Sequence, residues 1–312
     1  MKKRLVASII IIMMSLTFVS AGFFDDLFNF FNRGPQKSAT DSTDVAVVVG
    51  NALPTITTVT GLPATVSPAS GGTANVVFTF TASDANGASD LDDTTAKATF
   101  TKAGEITRTA NCVFQSTSGN TKTYQCTVGM LYYDGNGVWN VAVEVKDKAV
   151  PPATATNAVN SFTYNLLRDI AIQSCLGASC DPPPASIGFG NSVAPGATNV
   201  QSAKDTRVTN NGNFVGQLQV TAFDLKPPTG TDTIPAGNFK AAKSNVATIC
   251  GAGGNTLIAT SAVPITSTNL PKGVAGSNTE DLRYCLVTVP PSIASQSYST
   301  SNPGSSKWII GI

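Results

Sequence analysis

Hard oxygen ligands gather at one place in this chain of 312 residues, Asp84-Ala85-Asn86-Gly87-Ala88-Ser89-Asp90-Leu91-Asp92-Asp93. Calcium needs several carboxylate and carbonyl oxygens around one point. Asp84, Asn86 and Asp90 are the candidate calcium ligands, with Asp147 added where the fold brings it to the same end. The spacing is not that of an EF-hand loop, which closes on a Glu. The competing reading is that Asp and Asn make turns here, through side-chain hydrogen bonds to the backbone. Asp134-Gly135-Asn136-Gly137 is a second acidic turn, expected at the opposite end and not taken as a ligand set.

Other chemistry is hard to assemble. The chain has no histidine and only three Glu (Glu105, Glu144, Glu280), so the commonest general base and zinc ligand are missing. Neither a G-x-S-x-G elbow nor a P-loop or dinucleotide fingerprint occurs. No catalytic residue is therefore expected, and no cofactor beyond calcium. Only 12% of residues are charged, and past the three basic residues of the N-terminal leader 17 basic face 19 acidic side chains. That balance offers no basic surface for nucleic acid.

Six cysteines read as disulfides of an exported chain rather than as thiolate metal ligands. Cys112 and Cys126 flank the turn-rich Ser116-Thr117-Ser118-Gly119-Asn120-Thr121. A hairpin centred on Gly119 sets them opposite each other and pairs Phe114 with Tyr124. Cys175 and Cys180 enclose a four-residue loop, which leaves Cys250 and Cys285 for each other.

The elements that must position these groups are strands. Ser and Thr number 67 and good helix formers are scarce, which argues for many short strands. Met1-Lys2-Lys3-Arg4 and the apolar run Leu5 to Val19 form a secretory signal (1–21), with cleavage expected after Ala21. An uncleaved anchor is the alternative, since the run continues through Phe24. Residues 22–44 hold an amphipathic segment, with Phe24, Leu27, Phe28 and Phe31 on one helix face, and a polar linker. Membrane contact through residues 5–31 is one use of it.

Residues 45–166 read as one immunoglobulin-like β-sandwich, and 167–312 as a second with long loops. In the first, Thr55–Thr60, Asn75–Ala82 (Val76, Phe78 and Phe80 on one face), Ala96–Thr101, the cysteine hairpin, Val138–Val145 and Ser161–Asn165 are strands. The loops after the second strand and after the Trp139 strand then lie at one end, which would bring Asp147 near Asp84 and Asp90. In the second, Asn210-Asn211-Gly212-Asn213 predicts a hairpin between strands at Thr206–Thr209 and Gln217–Phe223. Tyr284–Val289 and Trp308–Ile310 are late strands, and residues 224–282 are expected to be loops tied by Cys250–Cys285. Val45-Ala46-Val47-Val48-Val49 stands before the first strand of its own sandwich. It either adds to an edge of that sandwich or completes a neighbouring subunit.

Gly137-Val-Trp139-Asn-Val141-Ala-Val143-Glu-Val145-Lys-Asp147 resembles the G-x-aromatic-x-V-x-L/V-x-V-x-D strand of polycystic-kidney-disease-type (PKD-like) and related Ig-like repeats. Gly50-Asn51-Ala52-Leu53-Pro54-Thr55-Ile56 is similar to the junction between such repeats. Phe189-Gly190, Pro195-Gly196 and Val208 to Asn213 resemble Ig-like domains of archaeal S-layer-type and other prokaryotic envelope proteins. These resemblances imply an all-β fold and a cell-surface setting. The function expected is a non-enzymatic envelope or surface protein, structural or adhesive, with other surface proteins or its own copies as partners. A filament subunit assembling by strand addition through residues 45–49 is one alternative. A carbohydrate- or peptide-binding module is another, and Tyr132 and Tyr133 are its one aromatic cluster.

Overall fold

A sheet with one buried face demands alternation at period two, and Gly137–Asp147 carries it throughout. Trp139, Val141, Val143 and Val145 are buried, while Val138 and Asn140 between them are exposed. The computed structural model describes residues 44–312. The signal, its anchor alternative and the phenylalanine-rich helix lie outside the described residues. Those described hold strands and two short 3-10 turns, and no helix among them is long and apolar enough to cross a membrane.

Nine strands build the first half: β1 (Thr55–Thr60), β2 (Thr65–Val66), β3 (Thr73–Ser83), β4 (Leu91–Thr101), β5 (Arg108–Asn111), β6 (Val113–Ser118), β7 (Thr121–Leu131), β8 (Gly137–Asp147) and β9 (Thr154–Tyr164). One sheet runs β1-β3-β7-β6 and the other β2-β9-β8-β4-β5. Their inner faces meet in a single aromatic core. Phe78 and Phe80 come from the first sheet, and Phe100, Trp139 and Phe162 from the second. Phe78 and Phe100 stack across the gap at 6.0 Å between ring centroids, and the Trp139 indole N–H donates to the Gly135 carbonyl at 2.9 Å.

The β6–β7 hairpin shows how turn chemistry sets register. Ser118 pairs with Thr121, so the turn is Gly119-Asn120, with Gly119 at φ 57°. A bulge between Phe114 and Ser116 then shifts the ladder by one residue, and Phe114 faces Tyr124 as the spacing predicts. Cys112 and Cys126 are joined beyond it, and the other two bridges are Cys175–Cys180 and Cys250–Cys285.

In the second half, β10 (Ile170–Leu176), β11 (Ser179–Cys180), β12 (Thr198–Gln201), β13 (Asp205–Asn210), β14 (Gln219–Thr221), β15 (Phe239–Lys243), β16 (Asn255–Thr256), β17 (Val263–Pro264), β18 (Thr279–Thr288) and β19 (Ile309–Gly311) form two further sheets. The larger follows β11-β10-β13-β18-β15-β16 with β12 on β18, and the smaller is β17-β14-β19. A second core gathers Phe239, Tyr284, Leu218, Leu270 and their neighbours. Residues 51–312 form one compact unit containing both cores. The Tyr132 hydroxyl donates to the Gly273 carbonyl at 2.8 Å, and Lys272 pairs with Glu105 at 2.6 Å. Tyr132 is buried, so the Tyr132–Tyr133 pair is no exposed sugar platform.

The hairpin expected at Asn210–Asn213 does not form, because β13 and β14 belong to different sheets. Asn210 is fully buried and accepts from the Gly212 N–H at 2.9 Å while donating to the carbonyls of Phe214 and Pro271. The turn thereby carries the chain across the core. Gly212 is required for close approach, since a Cβ there would stand 2.2 Å from the Leu167 carbonyl oxygen. Gly119 differs, with a left-handed backbone and open space around it. Gly212→Ala should therefore destabilise the protein by about 1–3 kcal/mol through overpacking, and Gly119→Ala by about 1 kcal/mol through backbone strain. Urea unfolding of both variants checks this. Equal, small losses would argue for an ordinary exposed turn at 210–213.

Candidate metal centre

Strand direction decides which loops share an end. β3 ends at Ser83 and β8 at Asp147, while β4 begins at Leu91 in register with Asp147. The residues after β3, before β4 and at the end of β8 are thus neighbours. One carboxylate oxygen each from Asp84, Asp90 and Asp147 lies within 4.8 Å of the other two. Asp84 and Asp147 are buried and Asp90 is half-buried.

Backbone geometry holds each in place. The Asp84 N–H donates to the Asn120 carbonyl, and Asp84 Oδ1 accepts from the Asn86 N–H at 2.8 Å, closing a turn on Gly87. Gly87 sits at φ 114°, where a side chain would be strained. Asp90 ends the 3-10 turn Ala88–Asp90, and its carbonyl accepts from the Lys148 N–H. Asp147 Oδ1 accepts from the amides of Ala153 at 2.7 Å and Ala149 at 3.2 Å, which fixes the loop after β8.

Asp84 Oδ2 is one of two buried side-chain oxygens among the described residues with no hydrogen-bond partner. No ion pair among the described residues involves Asp84, Asp90 or Asp147. The amine of Lys148, next to Asp147 in sequence, is committed to the Ser89 carbonyl at 2.6 Å. Three carboxylates this close form a cluster that a hard divalent ion would match.

The Asn86 side-chain oxygen accepts from the Ala52 N–H at 2.6 Å, so it holds the incoming chain. Asn51, in the segment that resembles a repeat junction, donates its carboxamide N–H to Asp147 Oδ2 at 2.7 Å. The signal that could have flagged it is an Asn just before the first strand of a sandwich, where the chain must pass the strand ends. Asp134, at the other acidic turn, is satisfied by contrast. It is clasped by the Arg108 guanidinium and by the Leu131 N–H at 2.7 Å.

The Asn51 hydrogen bond, together with the Ala153 and Ala149 amides, holds the Asp147 carboxyl below its usual 3.8, although burial acts the other way. A folded value below the unfolded one contributes stability at pH above 3.8, lost as pH falls through the lower folded value. In Asn51→Ala the Asp147 carboxyl should titrate at a higher pH, followed by carboxyl-carbon NMR, and acid unfolding should begin at a higher pH. An unmoved titration would assign the effect to the amides alone. Compared with known proteins, the chain matches no family model and no curated protein.

Proposed function

We propose that the protein is an exported, non-enzymatic envelope or surface component with a structural or adhesive role, built of PKD-like, Ig-like sandwiches. Three disulfides suit an oxidising, extracellular-type setting. The observation that carries the role is the outer face of the β1-β3-β7-β6 sheet. These strands hold one charged residue, Lys122, which is buried against Asp93. Hydroxyls line two rows of the ladder, Thr55, Ser83, Thr121 and Ser118 in one and Thr58, Thr81, Thr123 and Ser116 in the next, and the exposed Val77 and Val113 lie beyond them. Thr58 and Thr81 touch at 2.6 Å, and Thr60 and Thr79 at 2.8 Å. A broad uncharged hydroxyl face suits repeated contact with proteins or glycans and gives nothing to catalysis. Labelling intact and permeabilised native cells with an antibody to residues 51–312 tests this. Equal labelling of both is expected, and labelling only after permeabilisation would overturn the reading.

A second reading, a filament subunit assembling by strand addition, is favoured by residues 45–49. Val45, Val47, Val48 and Val49 are 79–95% exposed and belong to no strand. The β6 edge is exposed along its whole length and carries no Lys or Pro to blunt it. Deleting residues 45–49 should abolish polymers seen by negative stain in the purified native protein. Polymers that persist in the deletion would dispose of it.

A further inference from the structure

We infer that Asp84, Asp90 and Asp147 bind one calcium ion, with the Asn51 carboxamide oxygen as a fourth protein ligand, and that the ion fastens the point where the chain enters the first sandwich. Clustered acids alone would not carry this. The independent observation is Asp84 Oδ2, on a side chain only 1% exposed. Oδ1 of the same carboxylate is capped by the Asn86 N–H, so Oδ2 is the oxygen left for the cluster, and it has no donor. A buried, unpaired carboxylate oxygen beside two further carboxylates lacks only a cation.

Ligand chemistry selects the ion. The three oxygens lie within 4.8 Å of one another, close enough to converge on one cation. Calcium also tolerates the irregular mixture of carboxylate, carboxamide and water that this end of the sandwich offers.

Asn51 completes the set because it already touches Asp147. Turned over about its terminal bond, its carboxamide presents oxygen instead of nitrogen to the same spot. Asn86 is a positioning residue, since its own oxygen is engaged by Ala52. Residues 51 and 52 are then held twice, once by the ion and once by Asn86.

The full chain, stripped with EDTA, is titrated with CaCl2 and MgCl2 at pH 7 by calorimetry and by thermal unfolding. One calcium per chain and a raised Tm are expected, with magnesium weaker by about tenfold or more. Asp84→Asn and Asp90→Asn should each lose about tenfold or more in calcium affinity, and Asp92→Asn, outside the cluster, should keep it. Should Asp84→Asn fail to fold, half-buried Asp90 decides. Asn51→Asp separates a ligand from a mere hydrogen-bond donor. As a ligand it gives a lower Tm in EDTA and a larger calcium-induced rise than wild type. No heat and no Tm change in wild type, or wild-type affinity in both cluster variants, would overturn the site. Equal magnesium binding would overturn the choice of ion. A calcium response of Asn51→Asp no larger than wild type would remove Asn51 from the ligand set.

Discussion

A carboxylate withdrawn from water must be given donors or a counter-charge, and the way this lightly charged chain meets that requirement organises its structure. Asp134 is buried behind Arg108, and the turn it anchors presents the Gly135 carbonyl to the Trp139 indole at the centre of the core. Asp93 takes the Lys122 amine at 2.8 Å and the Tyr124 hydroxyl at 2.8 Å, which lets a lysine lie inside an otherwise uncharged sheet. Burial and the neighbouring Asp93 push the Tyr124 hydroxyl far above its usual value, so it stays a donor. In the second half Asp205–Arg283, Asp281–Arg207 and Glu280–Lys243 tie β13 and β15 to β18. Each pair adds a charged contact to a register that the buried, alternating residues already specify. Asp84 is the exception, since its Oδ2 is buried without a donor beside Asp90 and Asp147.

The first sandwich was legible because its strands pair a period-two pattern with large aromatic residues. Once Trp139, Phe78, Phe80 and Phe162 point inward, the side of every neighbouring residue follows. The Cys112–Cys126 pairing was legible because a hairpin register is arithmetic, and Cys250–Cys285 followed by elimination. The short β2 was hidden: Thr65 and Val66 lie between Gly-Pro-rich breakers and pair in parallel with β9, a partner about a hundred residues away. In the second half the strand β15, between β18 and β16, is Phe-Lys-Ala-Ala-Lys, whose Ala241 and Ala242 are both buried. A strand covered on two faces by small residues shows no alternation to read. The Asn210–Asn213 turn misled because hairpin preferences are local, whereas the group that makes Gly212 necessary is the Leu167 carbonyl.

The candidate site divides along the same line. Asp84, Asp90 and Asp147 could be placed together from strand directions alone, because each flanks a strand of known polarity. Asn86, two residues after an Asp, fits both a metal loop and a side-chain-capped turn, and its oxygen meets the Ala52 N–H. Asn51 was missed because its role depends on meeting Asp147, 96 residues further along the chain.

Covalent and ionic fasteners do different work in such a molecule. A disulfide limits the unfolded chain permanently, and the three present hold the middle of one sandwich and two places in the second half. Cys126 faces Phe78, five residues along β3 from Ser83, so no bridge reaches the end where Asp84, Asp90 and Asp147 meet. That end is also where residues 51 and 52 join the sandwich, through hydrogen bonds to Asp147 and Asn86. A calcium ion there would contribute stability that rises with its free concentration relative to Kd. Extracellular modules commonly bind calcium at about 0.1–1 mM, in a range where the ion's supply can decide occupancy.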